Sequence, residues 1–172
     1  ESSNALYRLL TENKRFWPKN RALRVLQVGF APLAQLLLSS EHGDALLLTV
    51  FEPDRRRFES AELALAKSKD VRLVDADHIN DLGKFDLIVS AGGLHRLPVG
   101  LSLAELHGLL SPGGLLVGIE PRTSLFKDLV FGLDPAWFST TASDRPVSRL
   151  RPVAHRPTDL DQAGFRNSAA AL

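Results

Sequence analysis

Leu23-Arg-Val-Leu-Gln-Val-Gly29-Phe-Ala-Pro-Leu33 decides the fold of this chain. Positions 23, 25, 26 and 28 are apolar and so supply both faces of an extended segment, the pattern of a strand covered on each side. Gly29 to Leu33 reads as a tight turn, and residues 33–39 are apolar almost throughout, as in a helix packed on that strand. Strand, turn and helix then recur downstream. Residues 45–51 read as a strand followed by a helix over 54–67, residues 71–74 as a third strand, and residues 85–90 as a fourth, followed by a helix over 102–110. Ser111-Pro-Gly-Gly114 ends that helix, and residues 115–119 supply one more buried strand. This alternation predicts a mostly parallel sheet with helices on both faces.

Upstream, residues 4–10 carry apolar positions at helical spacing, with Ser2 or Ser3 as caps. Downstream, residues 123–131 read as a helix and residues 134–156 as an irregular loop or lid rich in Pro, Arg, Ser and Thr. A short helix over 157–163, with Thr158 near its start, and a final strand over 165–172 complete the reading. The expected organisation is one domain over residues 1–172 with its core at 22–120.

With 44% hydrophobic residues in 172, the chain can build one core. Lys and Arg number 21 against 20 Asp and Glu, a formal charge of +1, so no net field favours nucleic acid or an anionic membrane. No apolar run is long enough to cross a bilayer and no signal-peptide pattern opens the chain, so a cytoplasmic protein is expected. The absence of cysteine excludes disulfides, thiolate metal sites and a cysteine nucleophile. The chain begins at Glu1 and has no methionine, which points to a piece excised from a longer polypeptide.

Several phrases together carry a resemblance. They are Leu23 to Gly29, Phe85-Asp-Leu-Ile-Val-Ser90, Leu94-His95, Leu109-Leu-Ser-Pro-Gly-Gly-Leu-Leu116, Asp128-Leu-Val-Phe-Gly-Leu133 with Trp137, and Ala163-Gly-Phe165. In this order the chain resembles the methyltransferase domains of modular polyketide synthases, in the Rossmann-like class I superfamily. The resemblance implies an α/β fold and S-adenosylmethionine as methyl donor. It implies neighbouring synthase domains as partners and an acyl carrier protein bearing the substrate chain. Such synthases also carry silent relatives, pseudo-methyltransferases, that persist as structural parts. Against the family pattern, the sheet is expected to be reduced at its C-terminal antiparallel pair and the N-terminal lid to be largely missing.

A donor with a free carboxylate needs close backbone approach and N–H groups after the first strand. The family shows an acid and alternating glycines there. Here Gly29 survives, Ala31 and Leu33 stand where glycines would be, Gln27 replaces the acid, and Pro32 removes a donor. The same stretch also reads as a plain strand-to-helix turn with Pro32 at the first helical position. By the resemblance Glu52, after the second strand, would meet the ribose hydroxyls, and Asp75, after the third, would lie near the adenine. Each also suits a helix start.

Methylating a carbon between two carbonyls requires a base, and His is suited to that near neutral pH. The family pairs a His after its fourth strand with a Glu after its fifth, positions held here by His95 and Glu120. Retained as catalysts or as an inherited pair, they stand where α/β folds place their chemistry. Asp75-Ala-Asp-His78-Ile-Asn-Asp81 lacks the glycine and distal glutamate of a calcium loop, so no metal site is assigned. Arg55-Arg-Arg57 reads as the solvated start of a helix. Arg145, Arg149, Arg151 and Arg156 read as solvated loop charge, with carrier docking as the alternative.

The sequence thus favours a pseudo-methyltransferase without a bound cofactor. The alternatives are an active S-adenosylmethionine-dependent methyltransferase, acting on carbon or less often oxygen of a carrier-bound β-ketoacyl chain, and a module that docks a carrier protein or partner.

Overall fold

A computed structural model describes residues 2–12, 17–39, 45–68, 71–98, 101–132, 137–140, 146–148, 150 and 152–170. It divides the chain into two compact units, residues 1–119 and residues 120–172.

In the first unit, α1 (Ser2–Glu12) precedes β1 (Leu23–Val28), α2 (Leu33–Leu38), β2 (Leu46–Phe51) and α3 (Arg55–Leu65). After these come β3 (Val71–Val74), β4 (Phe85–Ala91), α4 (Leu103–Gly108) and β5 (Leu110–Ile119). The five strands pair in the order β3-β2-β1-β4-β5, all parallel. β1 is central, and Val25, Leu26 and Val28 are at most 1% exposed, which confirms the two-faced apolar reading of that strand. Full burial of such a side chain stabilises the fold by roughly 1.5–3 kcal/mol. Leu6 and Leu10 of α1, with Leu33, Ala34 and Leu37 of α2, join strand residues Leu48, Val50, Leu87 and Val89 in one core.

The element boundaries follow local chemistry. Asp54 caps α3 by accepting the Arg57 N–H at 3.0 Å, and Ser102 caps α4 in a reciprocal box with Glu105. α4 is accordingly shorter than the 102–110 expected, because the chain re-enters the sheet at Leu110. Ser111 to Gly114 lies inside β5 rather than ending a helix. Leu110 pairs with Phe85, then Leu115 with Leu87, and the intervening residues bulge with Gly113 at φ 77°. Ser2 and Ser3 lie within α1 instead of capping it.

The second unit holds α5 (Leu125–Phe131), β6 (Phe138–Thr140), β7 (Pro146–Ser148) and α6 (Arg156–Gln162). β6 and β7 form an antiparallel ribbon, so the segment expected as an irregular lid contains regular pairing. Short strands of three residues leave no usable period-2 signal in the sequence. The Trp137 indole N–H donates to Asp128 Oδ1 at 2.9 Å, and its ring lies 5.1 Å from that of Phe131. This contact ties the two ends of the Asp128–Trp137 phrase together.

Among the described residues, 165–170 form no strand, contrary to expectation. Gly164, at φ 98°, closes α6 in a Schellman turn: its N–H donates to Asp161 O and the Phe165 N–H to Leu160 O. Asn167 is also left-handed, at φ 58°, and two such residues cannot continue an extended chain.

Candidate functional site

In a sheet of this order, successive crossovers diverge between β1 and β4, and the carboxyl ends of those two strands flank the crevice where α/β proteins hold ligands. Gly29 leaves β1 there with φ 78°, and Gly93 follows β4. The two turns meet. A Cβ on Gly93 would stand 2.3 Å from the Val28 carbonyl oxygen, and one on Gly29 would stand 3.2 Å from Gly93 Cα and 3.3 Å from Arg96 Nη2. The Gly93 N–H is held by the buried Ser90 hydroxyl at 2.9 Å.

The turn after β1 is satisfied from within the protein. The Gly29 N–H donates to Phe51 O at 2.8 Å and the Phe30 N–H to Glu52 Oε2 at 2.7 Å. Pro32 has no N–H, and it occupies the N-cap of α2 rather than the first helical position. Gln27, fully buried, donates through Nε2 to the carbonyls of Gly29 and Ala31 at 3.0 and 3.4 Å. An ionised carboxylate at this position could only accept, so the amide serves a turn that presents carbonyls to it. Gln27 Oε1 is buried without a hydrogen-bond partner. Phe30 packs on the core, and Leu33 is fully enclosed in it.

Glu52 lies just past β2 and is 2% exposed. Its Oε1 accepts from the Asp54 N–H at 3.1 Å, while Oε2 takes the Phe30 N–H and the Arg57 Nε–H, the latter at 3.2 Å. Arg57 Nη2 also donates to the Phe30 carbonyl at 2.9 Å. Arg57 is therefore not part of a solvated helix start, as its neighbours Arg55 and Arg56 are. It is the third residue of α3, and helical side chains lean toward the N-terminus, which carries its guanidinium back to β2. One signal in the sequence could have singled it out. Three cations in a first turn oppose the helix dipole, an anomaly that asks for a compensating partner.

Asp75 caps the short 3-10 helix Ala76–Asp81, accepting the Asp77 N–H at 3.2 Å and pairing with His78 Nδ1 at 2.6 Å. It borders an open cavity of about 320 Å³ lined by Phe58, Arg72, Leu73, Val74 and His78. Neither Gly29 nor Glu52 lines that cavity. The hydrogen bond to His78 holds the Asp75 carboxyl below its ordinary 3.8, and the same bond holds His78 above 6.5. His78's share of stability is complete below 6.5 and lost as pH rises through its raised value. Asp75's share is present above 3.8 and lost as pH falls through its lowered value. A proton NMR titration should place the His78 midpoint above 6.5 and return it toward 6.5 in Asp75→Asn. An unshifted midpoint in the unmutated chain would remove the pair.

His95 is half-buried in the 3-10 turn Leu94–Arg96 after β4, and Glu120 follows directly on β5. The strands that lead to them are neighbours, with Ala91 opposite Ile119. Of the clustered arginines, 145, 149 and 151 lie outside the described residues, while Arg156 opens α6. Among the described residues, no three acidic, His or Cys side chains gather as a metal site, and no helix is long and apolar enough to cross a membrane.

No protein-family profile matches the chain. It is 28% identical over 134 residues to the highly reducing polyketide synthase otaA of Aspergillus carbonarius, an alignment spanning 76% of this chain and 5% of that one. It is 27% identical over 167 residues to methyltransferase calH of Penicillium decumbens, spanning 88% of this chain and 46% of that one. The solved CurJ carbon methyltransferase superposes with a TM-score of 0.78 at 20% identity, over 95% of this chain and 46% of that structure. The chain thus spans less than half of each of these relatives. The chain has the α/β fold of the solved carbon methyltransferase and is similar in sequence to a part of polyketide synthases and of a methyltransferase.

Proposed function

We propose that this chain is a pseudo-methyltransferase, a structural domain of a polyketide-synthase-like megaenzyme whose methyl-donor site no longer takes S-adenosylmethionine. The observation that carries the reading is the turn after β1. Its Gly29 and Phe30 N–H groups are committed to Phe51 O and Glu52, and Pro32 has none to offer. A donor carboxylate would have to compete with those bonds at a turn against which Gly93 and the Arg96 guanidinium already stand. The cofactor does not fit the residues present. In this reading Gly29, Glu52 and Asp75 keep the positions of a donor site without its function, and His95 and Glu120 are ancestry.

A structural role is also consistent with α5, where Leu125, Phe126 and Leu129 are at least 70% exposed, the kind of surface that an adjoining domain covers. Neighbouring domains of a parent synthase are the partners this reading implies. The competing reading is an active methyltransferase acting on a carrier-bound β-ketoacyl chain. It rests on the places of His95, as base, and Glu120, as its orienting acid, after adjacent strands.

Titration calorimetry with S-adenosylmethionine separates the two. No saturable heat is expected, and micromolar binding would overturn the pseudo-methyltransferase reading in favour of the enzyme.

A further inference from the structure

We infer that Arg57 is an internal occupant of the ribose position at Glu52, a lock that keeps a nucleoside from a site whose acid is still in place. The inference rests on the reading above and deepens it, because it names the residue that closes one half of the site independently of the turn that closes the other.

In open α/β sheets an acid about 20 residues after the glycine turn, at the end of the second strand, accepts hydrogen bonds from ribose hydroxyls. Glu52 stands at that place, directly after Phe51 and beside the Gly29 turn. Its identity is therefore not what disables the site. What differs is where its lone pairs go. Oε1 and Oε2 each accept a backbone N–H, and the further approach to Oε2 is taken by Arg57 Nε. The same guanidinium ties down the Phe30 carbonyl, so one planar fork joins the turn after β1 to the acid after β2. A ribose diol would offer Glu52 neutral donors in exchange for a cation that is already in place, and ion-paired hydrogen bonds are the stronger.

Arg57 is 41% exposed at its side chain whereas Glu52 is 2% exposed, so the lock closes from the solvent side over a buried acid. Removing the guanidinium while keeping side-chain length would expose a carboxylate without disturbing the strand that carries it. The Asp75 cavity, beside α3 and β3, remains open in either case.

The test uses adenosine, which has the ribose and base of the donor but no carboxylate, and so does not depend on the N–H groups of the turn. Amide chemical shifts would be followed in the unmutated chain, in Arg57→Met and in Arg57→Met/Glu52→Gln. The unmutated chain should show no saturable shift at millimolar adenosine. Arg57→Met should show one centred on Gly29, Phe30 and Glu52, corresponding to at least a tenfold gain in affinity, and the double variant should lose it. If Arg57→Met does not fold, Arg57→Lys serves, since an ammonium cannot bridge Glu52 and Phe30 as a fork does; a smaller gain is expected. A folded variant with no gain overturns the lock while leaving the pseudo-methyltransferase reading intact. Adenosine binding by the unmutated chain also overturns it, whereas S-adenosylmethionine binding by that chain fails the broader reading and the lock together.

Discussion

Gly93→Ala should destabilise the chain by about 3 kcal/mol, the upper end of the usual cost of overpacking. The added carbon would stand 2.3 Å from Val28 O and 2.8 Å from Val28 C, both backbone atoms. Relief would require moving β1, which is hydrogen-bonded to β2 on one side and β4 on the other. Gly93 has φ −109°, so the penalty is steric and owes nothing to a left-handed backbone. Gly83 makes the matched control. Its Cβ would meet Arg24 Nη2 at 2.7 Å, but that is the far end of a flexible side chain which can swing aside. Gly83→Ala should therefore cost well under 1 kcal/mol. Urea denaturation of both variants checks the contrast. If Gly93→Ala is as stable as the unmutated chain, the two turns do not meet across the crevice.

The same contrast shows what a sequence can and cannot reveal. β1 and the start of β4 were legible because burial on both faces writes itself as runs of apolar residues, and α2 because its apolar run is bounded by Pro32 and Ser39. Asp54 and Ser102 were legible as helix boundaries because capping is a local property. Gly93 was not. Its constraint comes from Val28, 65 positions earlier, and no local pattern announces a backbone-to-backbone approach between separate strands. The β6–β7 ribbon was missed because three residues are too few to show alternation. The final strand was expected because Phe165 to Leu172 looked extended, and Gly164 and Asn167 were not weighed as left-handed stops.

At the site the division is sharper. Loss of glycines after Gly29 was visible, as were the acids at 52 and 75. The direction of their hydrogen bonds was not. Whether Glu52 faces an open crevice or its own neighbours depends on Arg57, and an arginine in a charged helix start is ordinarily solvated. Gln27 was read as a missing acid, whereas the structure gives its amide two carbonyl acceptors. Erosion of a motif is therefore only part of the change. The residues that stand there make contacts among themselves.

Those contacts set the second large effect. Glu52→Ala should cost about 3 kcal/mol in chemical denaturation. The Phe30 and Asp54 N–H groups would lose a charged acceptor, at roughly 1.5–3 kcal/mol for each such bond. Water entering the vacated space would recover part of that sum. Arg57, being half-exposed, can turn to solvent, so its stranded charge adds little. Arg57→Met should be milder in itself, because Glu52 keeps both N–H donors, although it leaves a buried carboxylate short of its cation. The double variant Glu52→Ala/Arg57→Met should cost less than the two single changes together, by about 1 kcal/mol or more, since each single change already breaks their shared bond. Strict additivity would mean that the side chains are neighbours without being coupled. Sub-additivity would show that Glu52 and Arg57 are energetically coupled, so that this corner between β1 and β2 works as a strut.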